Sequence, residues 1–388
     1  MRNKIATLVL LFVSGFLFAG GNIHFTEGKW EEIKAKAVKE KKYIFVDSYT
    51  DWCYWCKVMD KQTFTDSTVS SCINKNFIAV KREMEKEEEG IAMSMKYHVN
   101  AFPTYLIFSP EGVLVYKIIG FRPASEFLAE LNKSLQAKNG LYPGMNAQLD
   151  PGFPSFYRES FGTSKKRQYP ALKTVTDFLD AQKDLYSEVS WSIMWRFELN
   201  EKYENWVLEN RSKLSELYGS EEVDGKIASI ISIRVDRAGE TKDESAFNAA
   251  LTMIDQYLPE QKEELTISFS LDFYLKIGAW SKYANTVQQD IDKNGYINAG
   301  MINGCAWTIY EQCAETSVIK QSIVWMDSVT KQYPEYAYQD TYAALLYKDG
   351  QYKKAEEVAI LAINTGRGAG EDVSATQKLL DNIRLKLK

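Results

Sequence analysis

Histidine, cysteine and proline are all scarce in this chain of 388 residues, which has two histidines, five cysteines and nine prolines. Two histidines leave little room for a His-rich metal site, and five cysteines are too few for a small disulfide-stapled domain. The chain also lacks an excess of positive charge, because 47 Lys and Arg face 52 Asp and Glu for a net charge of −5. This balance argues against a dedicated nucleic-acid-binding protein.

Long hydrophobic runs are also lacking, apart from one at the N terminus. Two basic residues precede the apolar run 5–18 (IATLVLLFVSGFLF), and the small residues 19–21 (AGG) follow it. This layout is typical of a secretory signal peptide, and the run is shorter than the roughly 20 residues of a membrane helix. We therefore expect residues 1–21 to be a signal peptide cleaved after Gly21. The mature protein would be secreted or periplasmic, with no permanent membrane span, in a compartment where disulfides persist.

Residues 22–138 alternate between helical and strand patterns. The run Trp30–Lys41 is charged and amphipathic, whereas Tyr43–Tyr49 (YIFVDSY) is a short apolar run typical of a buried strand. Continuing in this way, we predict helices at 30–41, 53–60, 91–97 and 124–136, and strands at 43–49, 77–81, 104–108 and 113–119. The alternation predicts an α/β domain, with a mixed sheet flanked by helices.

The second part of the chain has a different pattern. Four of the nine prolines fall between positions 139 and 170, which predicts a linker at 139–155. After position 170 only Pro259 and Pro334 follow, and the apolar residues recur at helical spacing. We therefore predict an all-helical domain at 156–388.

The last third of the chain shows a repeat. Gly278 and Gly350 lie 72 positions apart, and an aromatic residue follows each two positions later, as Trp280 or Tyr352. Two units of about 36 residues fit this spacing, and a period near 34 with paired helices is typical of tetratricopeptide repeats. The resemblance is clearest over about 301–366, and we predict a TPR-like helical domain on that basis.

Cys53 and Cys56 carry the chemistry of the sequence. They lie three residues apart at the predicted start of a helix, directly after an apolar strand, so their side chains are within reach of a disulfide. The helix N terminus would stabilise a thiolate on Cys53, as disulfide exchange requires. A static structural disulfide is one alternative. A zinc half-site is another, and it would need two more ligands from Cys72, His24 and His98. We favour redox exchange, with no metal and no cofactor.

The residues around this pair resemble the thioredoxin superfamily, particularly its secreted bacterial branch, over about residues 30–135. The run from Trp52 to Lys57 (WCYWCK) matches the family's active-site motif in frame. Asp47 falls where the family has a buried aspartate, and Lys81 falls where it has the lysine partner of that aspartate. Pro103 precedes a strand, as the family's cis-proline does.

This resemblance implies a role for each of these residues. Cys53 would be the partly exposed attacking thiolate, and Cys56, one turn deeper, would resolve the mixed disulfide. Asp47 would exchange a proton with Cys56, with a pKa raised by burial. The cis turn at Pro103 would present backbone to a substrate peptide. Alternatively, Asp47 makes only turn hydrogen bonds at the end of its strand.

Two supporting residues have simpler interpretations as well. Lys81 could be an ordinary exposed lysine on a strand, and Trp52 is expected to pack over the motif rather than take part in the chemistry. Lys57 follows the motif and adds positive charge beside it.

The remaining candidates are weaker. We expect Cys72, Cys305 and Cys313 to be packing residues, and His98 to be structural. The acidic run 82–90 (REMEKEEEG) is predicted to be a solvated loop or the start of a helix.

The sequence therefore predicts an exported thiol–disulfide oxidoreductase. Residues 54–55 (YW) place no cation between the cysteines, so the couple should favour reduction over strong oxidation. Its partners would be a client protein with a disulfide or thiol, a protein that donates or accepts electrons, and a protein docked on the helical repeats. The alternative is a binding or chaperone-like module in which the repeats dominate and redox activity is minor.

Overall fold

The computed structural model describes residues 21–137, 139–146 and 148–388. The predicted signal peptide therefore lies outside the described residues, except for Gly21, and its cleavage stays a prediction. The chain forms two compact units, one reaching to Val223 and the other comprising Asp224–Lys388. The domain boundaries predicted at 138 and 155 stay predictions. Within the described residues, no helix combines the length and the apolar character needed to cross a bilayer.

The first unit contains a four-stranded mixed sheet, which confirms the predicted α/β fold. Its strands are β1 (Tyr43–Tyr49), β2 (Phe77–Glu83), β3 (Thr104–Phe108) and β4 (Leu114–Ile119), in the order β2-β1-β3-β4. β1 pairs in parallel with β2 and antiparallel with β3, and β3 pairs antiparallel with β4. The helices around the sheet are α1 (Trp30–Glu40), α2 (Tyr54–Val58), α3 (Ser67–Asn76), α4 (Glu88–Lys96) and α5 (Ala124–Ser134), and a π-helical turn at Met59–Thr63 continues α2.

The central strand β1 is buried on both faces of the sheet. Ile44 and Val46 belong to one apolar cluster, together with Trp30 of α1. Phe45 points to the opposite face and belongs to a second cluster with Met59, which follows α2. Because side chains alternate along a strand, Asp47 shares the face of Phe45. The strand pattern thus brings a carboxyl group to the side of the sheet covered by the helix that begins after Cys53.

Segments outside the strands bond to both edges of the sheet. Beside β2, the backbone N–H of Thr26 donates to the carbonyl of Ala79 at 2.7 Å. Beside β4, the N–H of Leu141 donates to the carbonyl of Leu114, also at 2.7 Å. Tyr142 is then buried in the core, so part of the segment predicted as a linker packs against the sheet.

Two local predictions were incomplete or wrong. Helix α3 was not predicted, although Asp66 caps it by accepting hydrogen bonds from the backbone N–H groups of Thr68 and Val69. The run 82–90 was predicted to be a solvated loop or the start of a helix, and a helix does begin within it, but its first four residues are buried. β2 extends through Glu83, and the chain turns inward before α4 begins at Glu88.

Every regular element that the structure describes beyond position 154 is a helix, which confirms the all-helical prediction for that part of the chain. These helices are α6 (Ser155–Arg158), α7 (Leu172–Asp180), α8 (Glu188–Arg196), α9 (Glu201–Glu209), α10 (Arg211–Tyr218), α11 (Ser220–Thr241), α12 (Glu244–Tyr257), α13 (Lys262–Ile277), α14 (Trp280–Asn294), α15 (Ala299–Gln312), α16 (Thr316–Gln332), α17 (Tyr336–Lys348), α18 (Tyr352–Ala369) and α19 (Ser374–Leu387).

The two glycines of the predicted repeat occupy equivalent turns. Gly278 follows α13 with φ +72° and Gly350 follows α17 with φ +79°, and in each case the next helix begins two residues later. A left-handed turn of this kind favours glycine because it has no Cβ. The paired helices agree with a repeat, while membership of the tetratricopeptide family stays a prediction.

Candidate active site

Cys53 and Cys56 form a disulfide at the end of the central strand. The chain leaves β1 at Tyr49 and turns once, and the backbone N–H of Cys53 donates to the carbonyl of Thr50 at 3.0 Å. Cys53 then caps α2, and its Sγ accepts a hydrogen bond from the backbone N–H of Cys56 at 3.0 Å. The two Cα atoms lie 5.4 Å apart. An N–H group directed at the sulfur of Cys53 stabilises negative charge there once the disulfide is reduced.

The exposure of the two cysteines differs from the expected order. Cys53 is 2% exposed and Cys56 is 7% exposed, so Cys53 is not the partly exposed residue of the pair. The large side chains on both sides of Cys53 are instead the exposed ones, with Trp52 at 65% and Tyr54 at 68%. Aromatic residues therefore present the main surface beside the disulfide.

Asp47 and Lys81 face each other across the parallel pair β1–β2. Their Cα atoms are in register, and the Lys81 Nζ lies 3.1 Å from an Oδ of Asp47. Burial raises the pKa of Asp47 to about 6, and Lys81 opposes part of this rise. Asp47 is therefore a buried carboxyl group that can exchange a proton near neutral pH.

Asp60 is a further acidic residue of the site, and the sequence reasoning missed it. It lies on the π-helical turn after α2, and its two carboxylate oxygens lie 2.7 and 2.9 Å from the Lys81 Nζ. Its charge adds to the effect of burial in raising the pKa of Asp47. The position of Asp60, four residues after Cys56, would place it on the same helix face and could have indicated it. Lys81 is thus shared between two carboxylates rather than freely exposed.

Trp52 is held at two points although most of its side chain is exposed. Its indole Nε1–H donates to an Oε of Glu85 at 2.9 Å. Its ring meets the edge of Phe102, with the ring centroids 5.9 Å apart. Phe102 precedes Pro103, so the indole links the cysteine turn to the loop before β3. Lys57, the last residue of the motif, is exposed on α2.

The peptide bond between Phe102 and Pro103 is cis. The carbonyl of Pro103 accepts a hydrogen bond from the backbone N–H of Gly120 at 2.8 Å, and Gly120 has φ +86°. This bond fastens the loop before β3 to the end of β4.

Trp55 and its aromatic neighbours add to the exposed surface beside the cysteines. Trp55 is 51% exposed, and its ring centroid lies 5.2 Å from that of Tyr54 and 5.2 Å from that of Phe121. Exposed aromatic side chains that contact one another are suited to binding apolar groups of another polypeptide.

The three other cysteines carry no disulfide in the structure. Cys305 and Cys313 are buried and Cys72 is half-buried. Burial raises the pKa of all three thiols, which disfavours the thiolate that exchange requires. His98 is also buried, and its ring nitrogens contact Glu222 at 3.2 Å and Ser192 at 3.0 Å. Among the described residues, no three or more His, Cys, Asp or Glu side chains cluster as metal ligands would.

A comparison with protein families decides the nature of the sheet region. A family described as "Thioredoxin-like domain" matches residues 30–135. This part of the chain is a thioredoxin-like domain. The matched range contains the disulfide, Asp47, Lys81 and the cis-proline. The family match and the cysteine pair together support a thiol–disulfide oxidoreductase.

Curated relatives match about a quarter of this chain. The "Thiol:disulfide interchange protein DsbD" of Haemophilus ducreyi is 34% identical over 104 residues, which cover 26% of this chain and 18% of that protein. The protein of the same name from Pectobacterium atrosepticum is 28% identical over 104 residues, again 26% and 18% of the two chains. The chain therefore spans less than a fifth of the length of these curated relatives.

A solved structure is similar as well. It is the solution structure of a candidate disulphide-isomerase from Bacteroides thetaiotaomicron, 33% identical, covering 31% of this chain and 98% of that one with a TM-score of 0.29.

Proposed function

We propose that this protein is an exported thiol–disulfide oxidoreductase that uses Cys53 as the attacking thiolate and Cys56 as the resolving thiol. The observation that supports the proposal most directly is the hydrogen bond from the Cys56 backbone N–H to the Cys53 sulfur. It favours the thiolate at Cys53, while Cys56 lies close enough to close a disulfide with it.

The reaction begins from the reduced pair. The Cys53 thiolate attacks one sulfur of a client disulfide, so that a bond from Cys53 to the client forms as the client bond breaks, and the second client sulfur leaves as a thiolate. Cys56 loses its proton and attacks the Cys53 sulfur, which releases the first client sulfur and closes the Cys53–Cys56 disulfide. The client gains two electrons, and a dithiol protein must supply two electrons to restore the reduced pair.

Asp47 serves as the proton acceptor for Cys56 in this scheme. A carboxyl group with its pKa near 6 can take a thiol proton at neutral pH and return it in the reverse direction. Lys81, placed between Asp47 and Asp60, limits how far burial and the charge of Asp60 raise the pKa of Asp47. The network of Asp47, Lys81 and Asp60 therefore sets the pKa of Asp47 at a value suited to accepting the proton of Cys56.

We infer that the couple acts as a reductase rather than a strong oxidant. The residues between the cysteines are Tyr54 and Trp55, which place no cation next to the thiolate. The reduced form then gains less electrostatic stabilisation than it would beside a histidinium. A redox titration checks this inference, and a potential as high as about −120 mV, that of strong periplasmic oxidants, would contradict it.

The helical repeats of the second unit are proposed to dock a protein partner of the reaction. The support is the succession of paired helices from α13 to α18, since stacked helix pairs present an extended surface.

A trapping experiment tests the proposed function. Cys56→Ser removes the resolving thiol, so a client should remain bound to Cys53 through a disulfide that reductant releases. Cys53→Ser/Cys56→Ser is the matched control and should trap nothing. A Cys56→Ser protein that forms no mixed disulfide with any disulfide-bearing protein would refute the proposal, and binding that survives reductant would favour a binding module instead.

A further inference from the structure

The loop 159–169, which lies beyond the thioredoxin-like domain in the sequence, reaches the active-site tryptophan through Glu85. One oxygen of Glu85 accepts the indole N–H of Trp52 at 2.9 Å, and the other lies 2.6 Å from the Nη2 of Arg167. Both carboxylate oxygens of Glu85 are therefore hydrogen-bonded. One binds Trp52, which precedes Cys53, and the other binds Arg167, which lies 82 positions after Glu85.

The burial of Glu85 gives the arginine its importance. The Glu85 side chain is 6% exposed, and a carboxylate so removed from water needs a partner that balances its charge. The Arg167 guanidinium provides that balance, while the neutral indole N–H does not. Without Arg167, the carboxylate would lie buried without a counter-charge and would turn toward water, which would move the acceptor offered to Trp52.

Arg167 is itself held in place by its own loop. Its Nε donates to the carbonyl of Gly162 at 2.8 Å. The backbone N–H of Gln168 donates to the carbonyl of Glu159 at 2.8 Å, which closes the loop at its base.

A second arginine, Arg196, packs against side chains of this loop. The guanidinium of Arg196, on α8, lies 4.4 Å from the ring centroid of Phe161 and 5.5 Å from that of Tyr169. Its Nη2 also donates to the carbonyl of Ser160 at 2.5 Å. Arg196 thus contacts the loop at three residues and helps to hold Arg167 against Glu85.

We propose that Arg167 is a positioning residue for the dithiol site, and that it acts through Glu85 to fix the Trp52 indole as part of the surface on which a polypeptide disulfide docks. The proposal rests on the proposed function and adds a determinant of client binding from outside the thioredoxin-like domain. Trp52 also contacts Phe102 beside the cis-proline, so displacement of the indole would also disturb that contact.

The first test is spectroscopic and does not depend on activity. The indole N–H resonance of Trp52 is assigned in the full-length protein by its absence in Trp52→Phe. We expect Arg167→Gln to shift this resonance and Arg167→Lys to restore it in part. Lys166→Gln, which removes one positive charge at the exposed neighbouring position, should leave it in place. An unchanged resonance in Arg167→Gln would overturn the proposal.

The second test separates docking from thiol chemistry. Arg167→Gln should lower kcat/KM for reduction of insulin by about tenfold, chiefly through KM. Reduction of bis(2-hydroxyethyl) disulfide should be unchanged, because that small substrate needs only the cysteines. Equal losses on both substrates would overturn the proposal. A wild-type protein inert toward both would refute the proposed function, and the Trp52 resonance would still decide the role of Arg167.

A double variant tests whether misfolding explains the effects of Arg167→Gln. Glu85→Gln keeps an oxygen for the indole but no longer needs a counter-charge. Adding Arg167→Gln to it should therefore change neither the resonance nor the KM further. Additive effects of the two substitutions would mean that Arg167 acts elsewhere, and would overturn the proposal.

Discussion

Cys53 in the first compact unit and Cys305 and Cys313 in the second are all buried, but they differ in what surrounds the sulfur. In the first, Cys53 begins a helix and a backbone N–H points at its sulfur. In the second, Cys305 and Cys313 are buried among apolar helix faces, and burial raises the pKa of both thiols. The contrast shows that position at a helix start, rather than the presence of a thiol, separates a reactive cysteine from a packing residue.

The largest expected effect tests this contrast directly. Cys53→Ser should lower the rate of insulin reduction by at least about 10³-fold, because the attacking thiolate is lost. Cys305→Ser, the matched change in the second unit, should leave the rate unchanged. A comparable loss in both variants would contradict the contrast.

The carboxylates of the two units provide a second comparison, beginning with Asp47. Its pKa is raised from 3.8 to about 6 by burial, so its contribution to stability is fully present below about pH 4 and is lost as pH rises through 6. Asp47→Asn should therefore raise the free energy of unfolding by up to about 3 kcal/mol at pH 8 and change it little at pH 4. Denaturant titrations at several pH values measure the difference, and a gain that does not depend on pH would contradict this account.

Asp327 in the second unit should behave in the opposite sense. Hydrogen bonds from Lys331 at 2.6 Å and from the Tyr342 hydroxyl at 2.5 Å lower its pKa to about 2. Its stabilising effect is present above about pH 4 and is lost as pH falls through 2. Asp327→Asn should cost about 1 kcal/mol at pH 7, an amount reduced by solvent screening, and the cost should fall toward zero below pH 2. The same titrations measure it, and a cost that grows toward acid pH would refute the assignment.

The smallest effects concern two glycines, one in a turn between helices and one inside a helix. Gly350 has φ +79°, and no atom lies within 4 Å of the position of an added Cβ, so Gly350→Ala should cost about 1 kcal/mol through backbone strain alone. Gly304 lies inside α15 with equally open surroundings, and Gly304→Ala should stabilise the protein by up to about 1 kcal/mol. Thermal unfolding of the two variants should show shifts of opposite sign.

Local patterns in the sequence predicted local structure well. The strand Tyr43–Tyr49 has the predicted bounds, and the first helix ends one residue early, at Glu40, because apolar periodicity and charge are properties of short segments. Helix α3 was missed although its cap, Asp66, and its buried residues Val69 and Ile73 follow the usual rules. The sequence therefore contained the signals for this helix, and the prediction overlooked them.

The rest of the candidate site depended on distant parts of the chain. The motif indicated Cys53 and Cys56, but it could not reveal that Cys53 is the less exposed of the two. Glu85 belongs to a charged run that resembles a solvated loop, but it is buried and paired with Arg167, 82 positions away. No periodicity connects residues so far apart, so only the folded chain brings them together.

The two bonded edges of the sheet restrict how another polypeptide can approach. An open edge strand invites a foreign strand to extend the sheet, but here the chain's own segments at Thr26 and Leu141 already take up acceptors on β2 and β4. Strand addition is thereby disfavoured on both flanks. We therefore expect a client chain to bind at the rim where the strands end, which is also where Cys53 begins its helix.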